Sequence, residues 1–167
     1  TGYQPLLNGI DLSGWEGAGA DARTCWQAAD GLLQCTGQEG PWLRTRQEYG
    51  DFHLRLEYRL GEGGNSGVYV RVPRDGNHHG AGAGVEVQIL DDASDRYREL
   101  KPYQFSASLY AIAAARRGSA RPPGTWNSLD IRCVGHHYTV THNGHEVLDV
   151  SERDYPELAA RLTRGFI

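Results

Sequence analysis

Four stretches of this chain alternate apolar and polar residues, and a period of two is the signature of pleated strands with one buried face. Phe52, Leu54, Leu56, Tyr58 and Leu60 interleave with His53, Arg55, Glu57 and Arg59. Val68, Val70 and Val72 interleave with Gly67, Tyr69 and Arg71, and Val85, Val87 and Ile89 with Glu86 and Gln88. Leu129, Ile131 and Cys133 interleave with Asp130 and Arg132. Two hairpins join them: Thr24–Gln27 with Leu32–Thr36 about Ala29-Asp30-Gly31, and Tyr138–Thr141 with Glu146–Leu148 about Asn143-Gly144. The 22 glycines fall between these short runs, as sandwich turns require. Residues 92–124 are the least regular. Ser108–Ala114 is a candidate short strand there, Arg116–Gly124 a basic loop rich in Pro and Gly, and Pro156–Arg164 at most a turn of helix. The expected fold is all-β: one two-sheet antiparallel sandwich domain over residues 1–167. Gly165-Phe166-Ile167 reads as the start of a further strand, so a C-terminal strand is expected to be truncated or lost.

Composition narrows the function classes. A net charge of -4 with both signs interspersed lacks the basic footprint of a nucleic-acid binder. No apolar run approaches the roughly 20 residues that span a bilayer. A Gly-x-Ser-x-Gly elbow, a Walker loop and a dinucleotide fingerprint are all missing, which leaves nucleophilic serine chemistry and nucleotide binding unsupported. The seven histidines include the pairs His78-His79 and His136-His137, neither at helical ligand spacing, and polar residues exposed to solvent are the plainer explanation. Cys25 and Cys35 flank a hairpin turn; a disulfide and two free thiols are both compatible with that placement, and Cys133 is then a lone core cysteine. The N-terminal residues do not decide a location; the expected one is periplasmic or secreted.

Chemistry is expected on one sheet face. If Val68, Val70, Val72, Val85, Val87 and Ile89 point into the core, then Tyr69, Arg71, Glu86 and Gln88 point out together. An aromatic ring, a guanidinium, a carboxylate and an amide suit a sugar, whose apolar ring face stacks while its hydroxyls pair with planar polar groups. An ordinary solvated face with one Arg–Glu pair explains the same residues, and the pattern by itself does not separate the two. Asn65 is placed at the rim of this cleft, with turn chemistry as the simpler role of its neighbour Ser66. Asp91 and Asp92 are turn caps or, for one of them, a cleft cation ligand. No cofactor is called for outright, and a divalent cation in the cleft stays open. Of the four tryptophans, Trp126 after Pro-Pro-Gly is the one placed nearest a ligand.

The ordered set Leu7-Asn8-Gly9, Asp11-Leu12-Ser13-Gly14-Trp15, Asp51-Phe52, Asn65-Ser66-Gly67-Val68-Tyr69-Val70-Arg71, Glu86-Val87-Gln88-Ile89-Leu90-Asp91, Leu109-Tyr110, Trp126-Asn127 and Asn143-Gly144 resembles the 3-keto-disaccharide hydrolase family over nearly the whole chain. Each motif is weak alone; their order and spacing together are specific. The glycine common before the leucine-tyrosine step appears here as Ala107, and the acidic residue common before Trp-Asn is Thr125, departures that bear on substrate more than on fold.

The resemblance implies a concanavalin A-like jelly-roll sandwich and action on glycosides whose third carbon has been oxidised to a ketone by a partner oxidoreductase. Glu86 is then the candidate base, or a ligand of a cation that polarises the ketone, and Arg71 the candidate oxyanion stabiliser. Asn65, Tyr69, Gln88, Tyr110 and Trp126 are the candidate substrate contacts. A non-catalytic carbohydrate-binding module on the same fold is the alternative, and a laminin-G-like interaction domain is another.

Overall fold

The computed structural model describes residues 2–167. Ten strands and four short 3-10 turns make up its regular structure, with no α-helix among the described residues. Two compact units result: one runs up to Glu48 and includes Phe166–Ile167, the other spans Tyr49–Gly165.

In the first unit, β1 (Trp15–Gly17) pairs antiparallel with β4 (Leu43–Thr45), and β2 (Trp26–Ala29) forms the expected hairpin with β3 (Leu32–Cys35). Asp30 and Gly31 turn it with φ of 53° and 78°, the pair of left-handed residues that matches strand twist. Trp26, not Cys25, stands opposite Cys35, so the two sulfurs do not face each other. Both thiols are free, and Cys25 Sγ lies 3.4 Å from the Pro41 carbonyl. Thr45 N–H donates to Ile167 O at 2.8 Å, so the terminal residue runs beside β4. β1 and β4 escaped the sequence reading because three residues are too few to display a period.

The second unit is a sandwich. β5 (Phe52–Tyr58), β8 (Asn127–Val134), β9 (His137–His142) and β10 (His145–Val150) form an antiparallel sheet in the order β10-β9-β8-β5. β6 (Asn65–Val70) and β7 (Val85–Leu90) form a second, two-stranded layer. Val70, Val85, Val87 and Ile89 from the pair share one buried cluster with Leu129, Ile131, Cys133, Tyr138 and Val140 from the larger sheet. Each such aliphatic side chain contributes roughly 1.5–3 kcal/mol on leaving water. The alternation of β5 is kept along its length, with Phe52, Leu54, Leu56 and Tyr58 against the core.

The expected short strand after Ser108 is present only in part. Ala107 N–H donates to Gln88 O at 2.8 Å, Gln88 N–H to Ser108 O at 3.0 Å and Tyr110 N–H to Glu86 O at 2.9 Å, so this segment lines the outer edge of β7. Ala107 and Ala111 have φ of 67° and 61°. Left-handed residues at both positions bend the backbone out of pleated geometry. Ala107 thus occupies a conformation that glycine takes more freely.

Asn143-Gly144 turns β9 into β10 with φ of 50° and 81°. The Asn143 amide does more than turn the chain. Its Nδ2 donates to Ser119 O and to Asn127 Oδ1, each at 2.7 Å, and its Oδ1 accepts from Ser128 N–H at 2.8 Å. Next to it, buried His142 is held between Tyr58 Oη at 2.9 Å and Ser119 Oγ at 2.8 Å. Asn143→Ala strands these partners and puts a Cβ-bearing residue with no compensating bonds in the left-handed region. A loss of about 2 kcal/mol is expected in denaturant unfolding; a loss under about 0.5 kcal/mol would mean the bonds are replaced by water at no cost.

Candidate functional site

The register of β6 and β7 sets the outward face. Tyr69 stands opposite Glu86, and Gly67 opposite Gln88. The Glu86 side chain lies over Gly67: a Cβ there would come within 2.8 Å of Glu86 Cγ and 2.9 Å of Cδ. Glycine at this position is therefore a condition of the carboxylate's placement. Gly67→Ala is expected to displace Glu86 while leaving the strand paired. A misplacement of about 1 Å can cost about a hundredfold in rate, which a kcat measurement beside a thermal melt would separate from unfolding.

Glu86, Tyr69, His78, His79, Tyr110 and Arg161 meet around a shallow, solvent-open cleft. The Tyr69 hydroxyl donates a hydrogen bond to the Glu86 carboxylate. Burial pushes the Glu86 carboxyl above the ordinary carboxylate range, against the opposing pull of that hydrogen bond and of His78. The Tyr69 phenol is raised as well, first by burial and then by the carboxylate it serves. His78 stands edge-on to the Tyr69 ring at 5.6 Å, its Nδ1 lies 3.1 Å from Gly76 O, and the His79 ring packs on it at 4.0 Å. A half-buried carboxyl poised closer to neutrality, with a phenol in contact and imidazoles nearby, is suited to take and return a proton.

Of the residues singled out in the sequence, Tyr69, Glu86 and Tyr110 come together here. Gln88 and Asn65 sit further along the same two strands as a bonded pair. Gln88 Nε2 donates to Asn65 Oδ1 and to Gln104 O, both at 3.3 Å, and Gln104 Nε2 in turn donates to Tyr110 Oη at 2.9 Å. Gln88 is 3% exposed, because the Gln104 segment covers it; it braces the cleft from behind and does not present its amide to solvent.

Arg71 is a correction. Val70–Val85 is the last paired step of β6, and Arg71 follows it with φ of 58°. That left-handed step ends the alternation and swings the side chain inward, where it is fully buried. Its Nε donates to Gly50 O at 3.0 Å, its Nη1 to Gly135 O, and its Nη2 to Asp51 at 3.1 Å, with the Phe52 and Tyr138 rings beside it. It is no part of the cleft.

Trp126 is exposed, with the Arg59 guanidinium 5.1 Å over its ring, and is not among the residues lining this cleft. Asp91 and Asp92 cap turns, accepting from Gly63 N–H at 2.9 Å and Ser106 N–H at 3.0 Å. Among the described residues, no three His, Cys, Asp or Glu side chains gather where a metal ion would need them.

His78, His79 and Arg161 were not expected in the cleft. The histidine pair was visible, but a loop gives no period from which to read direction. Arg161 follows a 3-10 turn (Pro156–Ala160) far along the chain, and nothing local marks it.

Comparison with known proteins identifies a family. Residues 2–167 match the family described as 3-keto-alpha-glucoside-1,2-lyase-like domain. A 3-keto-disaccharide hydrolase of Bacteroides thetaiotaomicron is 28% identical over 152 residues, covering 78% of this chain and 52% of the relative. The chain thus spans about half the length of that curated relative. A crystal structure from Parabacteroides distasonis, described as a candidate glycosyl hydrolase, is 28% identical with a TM-score of 0.82, covering 98% of this chain and 87% of its own. A second from the same organism has a TM-score of 0.79 at 22% identity, covering 98% and 84%, and speaks for the sandwich fold alone. With a family model matched from residue 2 to the last residue, the chain belongs to the 3-keto-alpha-glucoside-1,2-lyase-like domain family.

Proposed function

We propose that this protein cleaves 3-keto-glycosides by removing the proton beside the ketone and expelling the anomeric substituent, with water adding afterwards. One observation carries the reading: Glu86 is the sole carboxylate among the residues lining the cleft. Ordinary glycosidases need two, spaced either roughly 5 Å or roughly 6.5–9.5 Å apart. A single carboxylate suffices when the substrate itself is activated, because a ketone acidifies the neighbouring C–H.

Glu86 takes the C2 proton, and its raised affinity for a proton makes it a stronger base than an exposed glutamate. Tyr69 orients the carboxylate through the shared hydrogen bond, and Tyr110 offers a ring face for the sugar. The relative's name, 3-keto-disaccharide hydrolase, supports the substrate class. The ketone would come from an oxidoreductase acting earlier on the same glycoside.

The test is incubation with a 3-keto-glucoside and the matching unoxidised glucoside, with and without a chelator, followed by product analysis. Aglycone release from the keto form alone, with deuterium entering C2 in heavy water, is the expected result. Release from both sugars at similar rates would defeat the reading. Tight binding of the unoxidised sugar without turnover of either would point to a carbohydrate-binding module.

A further inference from the structure

We propose that Arg161 supplies the positive charge that receives the ketone oxygen as electrons move onto it. The inference rests on the 3-keto-glycoside reading above and fills the role that buried Arg71 leaves vacant. Arg161 is half-buried and lines the same cleft as Glu86 and Tyr69. It forms no ion pair with a carboxylate among the described residues. A guanidinium carries five N–H donors. One, on Nη1, is committed to Gly84 O at 3.2 Å. An arginine withdrawn from water yet given so few partners is poised for an incoming anion or developing oxyanion.

Its backbone is held on both sides. Gly82 N–H donates to Ala160 O at 2.7 Å and Leu162 N–H to Ala83 O at 3.1 Å, so residues 160–162 are strapped to the segment that leads into β7 and Glu86. The Arg161 carbonyl lies 3.0 Å from His136 Nε2, while His136 Nδ1 is 2.6 Å from Glu152. A donor fixed before substrate arrives needs no reorganisation when charge develops, which is the condition for large electrostatic effects on rate.

The step balances as follows. A Glu86 oxygen accepts the C2 proton; the C2–H electron pair becomes the C2–C3 double bond, and the carbonyl π pair moves onto oxygen, where Arg161 donates hydrogen bonds. The oxygen pair then re-forms the ketone, the C2–C3 pair shifts to C1–C2, and the C1–O bond breaks with its electrons on the aglycone oxygen. That oxygen takes the proton back from Glu86, leaving an enone and a free alcohol.

Four variants, Arg161→Gln, Arg161→Lys, Arg161→Ala and Glu86→Gln, test the assignment on a 3-keto-glucoside, with aglycone release and C2 deuterium exchange read separately and Arg153→Gln as an exposed control. Arg161→Gln is expected to lower both rates by about 10²–10³-fold with KM within about threefold. Arg161→Lys, which keeps charge and bulk, is expected to recover part of that loss. Arg161→Ala should gain rate on addition of guanidinium ion, which a merely structural role would not produce. If Arg161→Gln and Arg161→Lys both keep wild-type rates while Glu86→Gln is inactive, Arg161 is rejected and the base assignment stands. If the wild-type protein neither exchanges C2 nor releases aglycone, the underlying reading falls and Arg161 falls with it.

Discussion

Glu86→Gln is expected to lower kcat on a 3-keto-glucoside by about 10²–10⁴-fold, the usual weight of a general base. The substitution keeps the side chain's shape over Gly67 and can still accept from the Tyr69 hydroxyl, so folding and KM should hold. What is lost is the capacity to take a proton. The pH profile adds a second check. Burial raises the Glu86 carboxyl, and a base must be ionised to act, so kcat/KM should rise with pH through a midpoint above that of an exposed glutamate and be lost below it.

Stability moves in the opposite sense. A carboxyl whose folded-state pKa lies above its unfolded value holds its proton more tightly when folded, so its contribution is full below the unfolded value and is lost as pH rises through the folded one. Glu86→Gln, permanently uncharged, should therefore be more resistant to heat than wild type at neutral pH and level with it in acid. A mutant with full activity, or a profile centred at the ordinary glutamate value, would remove Glu86 from the base role.

The second large effect is structural. Arg71→Met should destabilise the Tyr49–Gly165 unit by about 3–5 kcal/mol, the range found when one partner of a buried charged set is removed. For a protein of this size that is a fall of roughly 10 °C or more in Tm. The guanidinium is 0% exposed and serves Gly50 O, Gly135 O and Asp51 together, joining the entry to β5, the exit of β6 and the β8–β9 turn. Asp51 itself is 60% exposed, so most of the loss comes from the two carbonyls and the packing against Phe52 and Tyr138. Lysine should not rescue, because one ammonium cannot reach three acceptors in a plane. Well below its Tm, Arg71→Met should turn over substrate at close to the wild-type rate. An unshifted Tm with abolished turnover would return Arg71 to the active site.

These two residues show how far the sequence carries. Glu86 was legible because β7 is regular: Val85, Val87 and Ile89 point inward, so Glu86 must point outward beside Tyr69 of β6. The same rule applied one step too far along β6 placed Arg71 in the cleft. A period of two holds only while every residue stays extended, and one left-handed residue at the strand's end reverses the side chain. Gln88 illustrates a related limit. Its residue type suits a sugar, but whether an amide reaches solvent depends on what covers it, here the segment that carries Gln104.

The longer strands, the hairpin at Asn143-Gly144 and the outward Tyr69–Glu86 pair were determined by the sequence alone, since each follows from pleat geometry or turn chemistry among near neighbours. The tertiary structure alone decided the rest of the cleft. His78 arrives on a loop without periodicity, and Arg161 reaches Gly84 O through its guanidinium while its neighbour Leu162 donates to Ala83 O, far earlier in the chain. Local pattern dictates which way a strand residue faces; only long-range packing dictates which loops meet above it.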